Sequence, residues 1–118
     1  MTTAASPRPQ PRAHRITTEA EALRIARDLA AEFAAGAAER DRHRRLPVAE
    51  LDRFSNSGLW GITVPRAYGG AGVGYATLGE VIALISAADP SIGQIPQNHF
   101  AALDVIRVTG SELSLIHI

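Results

Sequence analysis

The chain of 118 residues contains no cysteine and no lysine, and only 5% of its residues are aromatic. Without cysteine there are no disulfides, no thiolate catalysis and no cysteine-based metal site. Arginine supplies all 12 basic residues and balances 12 acidic ones, so the formal net charge is zero. A neutral chain offers no broad electrostatic footprint for nucleic acid, and we expect no nucleic-acid partner.

Long apolar runs are also missing. The longest run, residues 81–85, is far shorter than the roughly 20 residues that cross a bilayer. No apolar signal-peptide core follows the N-terminus. We therefore expect a cytoplasmic protein with no membrane contact. Arginine as the sole basic residue, beside abundant alanine, glycine and proline, is typical of a GC-rich, bacterial gene.

Apolar residues make up 46% of the chain, which is enough for a core built mainly from Ala, Leu, Ile and Val. Apolar positions recur at spacings of three and four, and this predicts an all-α fold of four helices. Residues 1–16 carry three prolines and unbalanced arginines, so we expect a disordered tail there. The Thr18–Glu21 spacing fits a capping box at the start of the first helix.

Charged residues fill the end of the first helix, over 39–45, and predict a solvated helix end. Pro47 suits the first position of a second helix, and Gly58 suits a left-handed cap at its end. The third helix is predicted over 75–88 and the fourth up to Thr109, with a kink or late start at Pro96 and an end at Gly110.

A glycine loop lies between a possible strand, residues 62–64, and the third helix. Gly70, Gly72 and Gly74 are spaced G-x-G-x-G, whereas the dinucleotide fingerprint requires G-x-G-x-x-G. The phosphate-loop pattern is impossible without lysine. A structural turn and a nucleotide-binding loop both stay open, and the spacing favours the turn.

His99 lies on the apolar stripe of the fourth helix, directly after Gln97 and Asn98. A lone histidine there is either a core side chain with a satisfied hydrogen bond or a functional group. Polar side chains clustered at a broken helix often line a cavity. No two histidines have the helical spacing of metal ligands, so we predict no metal site. We assign no catalytic residue in this chain.

The segment Gly58–Gly72, G-L-W-G-I-T-V-P-R-A-Y-G-G-A-G, resembles the N-terminal domain of the acyl-CoA dehydrogenase family. Leu46-Pro47 and the segment Ala88-Asp89-Pro90-Ser91 fit the same pattern, so the resemblance extends over residues 21–112. The stretch Gln94–Phe100 is similar to the branch of sulfur-acquisition oxidoreductases and dibenzothiophene monooxygenase-like enzymes.

This resemblance implies an N-terminal helical bundle that walls a substrate cavity. A β-domain and a C-terminal four-helix bundle would follow and would bind most of the flavin, FAD or alternatively FMN. The resemblance implies that His99, with Asn98 beside it, lines the substrate and flavin cavity. Gln97 and Phe100 are further candidates for the lining.

The first hypothesis is a fragment of a flavin-dependent acyl-CoA dehydrogenase-like oxidoreductase. The alternatives are a reduced-flavin monooxygenase of the same fold and a non-catalytic helical interaction module. The implied substrates are an acyl-CoA or a small organosulfur compound. The full-length enzyme would be a homotetramer, and this chain alone would be inactive.

We expect three segments: the tail over 1–16, a domain over 17–112 that the resemblance implies is truncated, and residues 113–118. The last six, Leu-Ser-Leu-Ile-His-Ile, match the translation of a transposon mosaic end used in DNA library preparation. We therefore expect residues 113–118 to be non-native sequence.

Overall fold

The computed structural model describes residues 12–118, which form six α-helices and two short 3₁₀ turns and contain no β-strand. The helices are α1 (Glu19–Arg42), α2 (Val48–Asn56), α3 (Tyr75–Ala88), α4 (Pro90–Gln94), α5 (Pro96–Thr109) and α6 (Glu112–Ile116). The 3₁₀ turns are Leu59–Gly61 and Arg66–Tyr68. The predicted all-α fold is confirmed, but the predicted number of four helices is wrong, because the predicted fourth helix is divided into α4 and α5 and α6 follows it. Within 12–118, no helix is long and apolar enough to span a membrane.

Helix α1 begins at the predicted cap. The Thr18 hydroxyl accepts a hydrogen bond from the N–H of Glu21 at 3.1 Å, and the Glu21 carboxylate accepts one from the N–H of Thr17 at 3.1 Å. Of the predicted tail, residues 1–11 lie outside the described residues. Residues 12–16 run along the domain, where the side chain of Ile16 is only 3% exposed.

The core lies mainly between α1 and α3, which pack along one another. Apolar side chains at helical spacing point from each helix into this interface, as the sequence periodicity predicts. The buried members on these two helices are Ala22, Ala26, Leu29, Phe33, Val81 and Ile85. Helix α2, the first 3₁₀ turn, α4 and α5 complete the core, chiefly with Phe54, Leu59, Ile92 and Phe100.

The end of α1 is not wholly solvated, and the prediction for Arg40 is wrong. Its side chain is 6% exposed. It donates hydrogen bonds to Asp89 at 2.8 Å, to Glu50 at 2.8 Å and to the carbonyl of Phe33 at 2.7 Å. The fold brings Asp89, at the α3–α4 junction, against α1 and so allows the guanidinium to be buried with each of its three nitrogens hydrogen-bonded.

The strand predicted over residues 62–64 is also wrong. Bonds between residues three apart, such as Val64 N–H to the Gly61 carbonyl at 3.1 Å, continue the first 3₁₀ turn instead. The glycines that follow are required by the backbone conformation of the turn. Gly69 has φ +99°, and a Cβ on Gly70 would lie 2.0 Å from the Val64 carbonyl oxygen. This geometry supports the structural-turn alternative for the glycine loop.

Of the remaining boundary predictions, the one for Pro47 is wrong by one position, because Pro47 is the N-cap of α2 and not its first residue. The predicted span of α3 and the predicted helix end at Gly110 are confirmed, and so are the predictions for Gly58 and Pro96. Gly58 has φ +88° and follows the end of α2 in the left-handed region. The chain breaks between α4 and α5, and α5 starts at Pro96. Residues 113–118 include most of α6, and their non-native origin stays a prediction.

Candidate functional site

A groove of about 410 Å³ lies between α3 and α5. We name it the α3–α5 groove. Apolar side chains form most of its wall, and polar side chains of α5 stand two helical turns apart along it. The lining residues are Tyr75, Leu78, Gly79, Ile82, Gly93, Gln97, Phe100, Ala101 and Asp104.

Small residues keep the groove open. A Cβ on Gly79 would meet no atom within 4 Å, so packing within the described residues does not require glycine at this helical position. Glycine inside a helix costs roughly 0.5–1 kcal/mol relative to alanine. Glycine leaves room here for the close approach of another group.

Asp104 places a carboxylate, paired with Arg107, at one part of the groove. Arg107 donates a hydrogen bond to its carboxylate at 2.7 Å. The pKa of the Asp104 carboxyl lies below its ordinary value. The largest cause is a hydrogen bond from Tyr75 and the next is the one from Arg107, because both stabilise the ionised form. Asp104 is therefore ionised at neutral pH. Gln97 supplies the neutral polar group and accepts a hydrogen bond from the Gln94 amide at 2.6 Å.

The structure divides the four predicted cavity residues. Gln97 and Phe100 line the α3–α5 groove. Asn98 is exposed and lies outside the groove. His99 also lies outside it, and its Nε2 is 2.8 Å from the Trp60 carbonyl oxygen. The roles of all four residues in a flavin and substrate cavity stay predictions.

His99 is half-buried against an aromatic cluster. Its ring and that of Trp60 meet edge to face, with centroids 4.7 Å apart, and Phe100 lies on another side at 5.1 Å. The Trp60 indole donates to the Ser55 hydroxyl at 3.1 Å. The histidine is therefore a packed side chain with a satisfied hydrogen bond, which is the first of the two alternatives given for it in the sequence analysis.

Sequence reasoning missed the residues that α3 contributes to the groove, chiefly Tyr75, Gly79 and Ile82, and it missed Asp104 on α5. The stripe of α3 indicated a buried face, and nothing in the pattern showed that α5 would leave part of that face open. One usable indication was Gly79, a glycine inside a predicted helix.

A second cavity of about 290 Å³ shares Tyr75, Leu78, Phe100 and Asp104 with the groove. Thr63 and Ile118 also line it. The Thr63 hydroxyl is buried and has no hydrogen-bond partner within the described range of the chain. The two cavities thus lie next to one another around the start of α3 and the middle of α5.

The family model for the acyl-CoA dehydrogenase N-terminal domain matches residues 17–113. This chain belongs to the acyl-CoA dehydrogenase family. The matched range includes α1 to α5, both walls of the α3–α5 groove and the Ser55–Trp60–His99 contacts. The resemblance noted in the sequence is confirmed.

Several of the curated relatives are named as monooxygenases. The chain is 36% identical over 107 residues to the dibenzothiophene monooxygenase of Rhodococcus erythropolis. The matched segment covers 91% of this chain and 26% of that protein. It is 37% identical over 87 residues to a probable FMNH2-dependent monooxygenase of Pseudomonas putida, covering 74% of this chain and 22% of that protein. These matches confirm the suspected branch of the family.

A 3-sulfinopropanoyl-CoA desulfinase of Cupriavidus necator is 36% identical over 89 residues, covering 74% of this chain and 22% of that protein. The chain thus spans about a quarter of the length of the curated relatives it matches. No solved structure matches the chain significantly.

Proposed function

We propose that the whole protein is a reduced-flavin-dependent monooxygenase that acts on a small organosulfur compound. In this proposal the domain described here forms one wall of the substrate cavity. The observation that carries the proposal is the apolar α3–α5 groove, with Gln97 and Phe100 in its wall, in a chain similar to dibenzothiophene monooxygenases.

The chemistry of the groove supports a neutral, mostly apolar substrate. Leu78, Ile82 and Phe100 offer apolar contacts, and Phe100 offers the edge or face of a ring to an aromatic ligand. The Asp104 carboxylate is paired with the Arg107 guanidinium, so this part of the groove has no excess positive charge to attract an anionic ligand. A flat heteroaromatic sulfur compound meets both conditions.

The residues present fit one wall of a flavin and substrate cavity, and the glycine loop does not fit a flavin phosphate. The N–H groups of Gly69, Gly70 and Gly72 already donate to the backbone carbonyls of Arg66, Pro65 and Val64. Reduced flavin, which we propose as FMN, would supply the electrons for oxygen activation when bound. This chain's contribution would be apolar contact from Phe100 and a hydrogen-bonding amide from Gln97.

An acyl-CoA dehydrogenase-like oxidoreductase is the second candidate. The family description and the similarity to a desulfinase named for a CoA substrate favour it. We further propose a homotetramer in the cytoplasm, and nucleic acid and membranes have no part in the proposal.

Turnover of the whole protein tests the function. With reduced FMN, oxygen and dibenzothiophene, we expect the sulfoxide or sulfone in the products by mass spectrometry. Bleaching of the bound flavin by an acyl-CoA without oxygen, and no oxygenated sulfur product, would support the dehydrogenase instead.

Ligand binding by the 118-residue chain tests the role of the groove. Trp60 is its single tryptophan and lies 6.4 Å from Phe100 between ring centroids, so its fluorescence reports ligands near Phe100. We expect dibenzothiophene to quench this fluorescence saturably and Gly79→Leu, which fills the groove, to weaken the quenching. The matched control is Ala87→Leu, on an exposed position of the same helix outside the groove. Equal quenching in both variants would contradict a ligand in the groove.

A further inference from the structure

Ser55, Trp60 and His99 form a connected set of contacts on the side of α5 that faces the first 3₁₀ turn. The Ser55 hydroxyl accepts from the Trp60 indole N–H at 3.1 Å. The Trp60 ring packs edge to face on Phe54, with centroids 4.8 Å apart, and on His99 at 4.7 Å. Trp60 is therefore held at its polar atom and at its ring, and it contacts His99 with both its ring and its backbone.

The contact to the Trp60 backbone determines where the histidine proton resides. His99 Nε2 lies 2.8 Å from the Trp60 carbonyl oxygen, and a carbonyl oxygen can only accept a hydrogen bond. Nε2 must therefore carry the proton, and in the neutral ring Nδ1 holds the lone pair. Within residues 12–118, no side-chain hydrogen bond engages Nδ1.

We propose that Trp60, anchored by Ser55, is a positioning residue that fixes the ring plane and the tautomer of His99. Trp60 at 4.7 Å and Phe100 at 5.1 Å restrict rotation of the imidazole. His99 then presents Nδ1 as a hydrogen-bond acceptor of defined direction. The use of that acceptor by a substrate or cofactor rests on the proposed function, whereas the fixed tautomer is a property of this chain.

Nuclear magnetic resonance of the ¹⁵N-histidine-labelled chain tests the proposal without flavin or substrate. At about pH 8 histidine side chains are ordinarily neutral, and there we expect a persistent Nε2–H signal and an unprotonated Nδ1 for His99. His117, which is exposed, is the internal reference, and its ring N–H should be lost to exchange with water.

Three variants of the contact and one control separate positioning from stability. Trp60→Ala keeps the backbone carbonyl but removes the ring that holds the imidazole against it. It should therefore weaken this hydrogen bond, speed exchange of the Nε2–H by up to about tenfold and leave a mixture of tautomers. Ser55→Ala should give a smaller change in the same direction, and Trp60→Phe should restore most of the protection because it keeps the ring contact. Thr18→Ala, which removes the cap of α1, is the control that lowers stability without changing the His99 signals.

Rapid exchange of the His99 N–H in the folded chain, or Nδ1 protonation in the neutral ring, would overturn the proposal. So would a Thr18→Ala spectrum with the same His99 changes as Ser55→Ala. If Trp60→Ala does not fold, Ser55→Ala and Trp60→Phe decide the question. A failure of the whole protein to oxygenate sulfur would leave this spectrum unaltered, so the two proposals fail separately.

Discussion

Arg40→Met tests whether a buried ion pair holds the end of α1 to the rest of the domain. Three acceptors converge on the Arg40 guanidinium: the Asp89 carboxylate, the Glu50 carboxylate and the Phe33 carbonyl. The Arg40 and Asp89 side chains are 6% and 8% exposed. Methionine preserves the length of the apolar stem and leaves the Asp89 charge buried without its partner.

Removing one partner of a buried ion pair costs about 3–5 kcal/mol. Asp89 keeps the N–H donors of Ser91 and Ile92, so we expect the lower end of that range. This loss is large against the about 5–15 kcal/mol by which domains are ordinarily stable. The melting temperature should fall by about 12 °C. Urea unfolding followed by circular dichroism measures the free energy directly.

The matched control is Arg42→Met, two residues further along α1. The Arg42 side chain is 71% exposed and pairs with Glu39 at 3.4 Å, so its replacement should leave stability within the precision of the measurement. In a double-mutant cycle, Asp89→Asn in the Arg40→Met background should cost much less than in the wild type. Equal stability losses at Arg40 and Arg42, or additive effects in the cycle, would refute a buried pair.

Three further substitutions should change the stability of the domain. The first should lower it, the second should raise it, and the third should lower it in a pH-dependent way. Gly58→Ala should destabilise the domain by about 1–3 kcal/mol from backbone strain, and its Cβ would lie 2.2 Å from the His14 carbonyl oxygen. Gly79→Ala should stabilise it by roughly 0.5–1 kcal/mol in urea unfolding. Hydrogen bonds from His14 and from the Thr17 N–H lower the pKa of Glu21 below its ordinary 4.5. Glu21→Gln should therefore lower stability at neutral pH.

Because the folded-state pKa of Glu21 is lowered, its contribution is present above pH 4.5 and is lost as the pH falls through the lowered value. The stability difference between wild type and Glu21→Gln should shrink in acid, and a difference constant with pH would contradict this pairing. A stable Gly58→Ala variant would show that the left-handed turn is not required. Destabilisation by Gly79→Ala would show that the space beside α3 is already filled.

Most of the fold follows from local sequence. The cap at Thr18, the left-handed turn at Gly58 and the break at Pro96 each depend on a few neighbouring residues, because caps, positive φ angles and proline act within one turn of chain. The family resemblance also depends on a continuous segment. These features were predicted correctly without knowledge of how the helices pack.

Only the tertiary structure decided the burial of Arg40 and the course of residues 62–64. Asp89 lies 49 residues from Arg40 along the chain, and no local pattern shows that a charged helix end will meet a buried acid. Residues 62–64 have the composition of a strand, but without a partner strand their backbone groups bond within 3₁₀ turns and to the glycine loop instead.

The candidate site also depends partly on local sequence and partly on tertiary packing. The sequence by itself indicated Gln97, Asn98 and His99, because polar residues beside a proline break stand out from an apolar stripe, and the family resemblance added Phe100. The direction of each side chain depends on how α5 packs against α3 and the first 3₁₀ turn. That packing, which joins residues distant in sequence, puts Gln97 and Phe100 on the groove and His99 against Trp60.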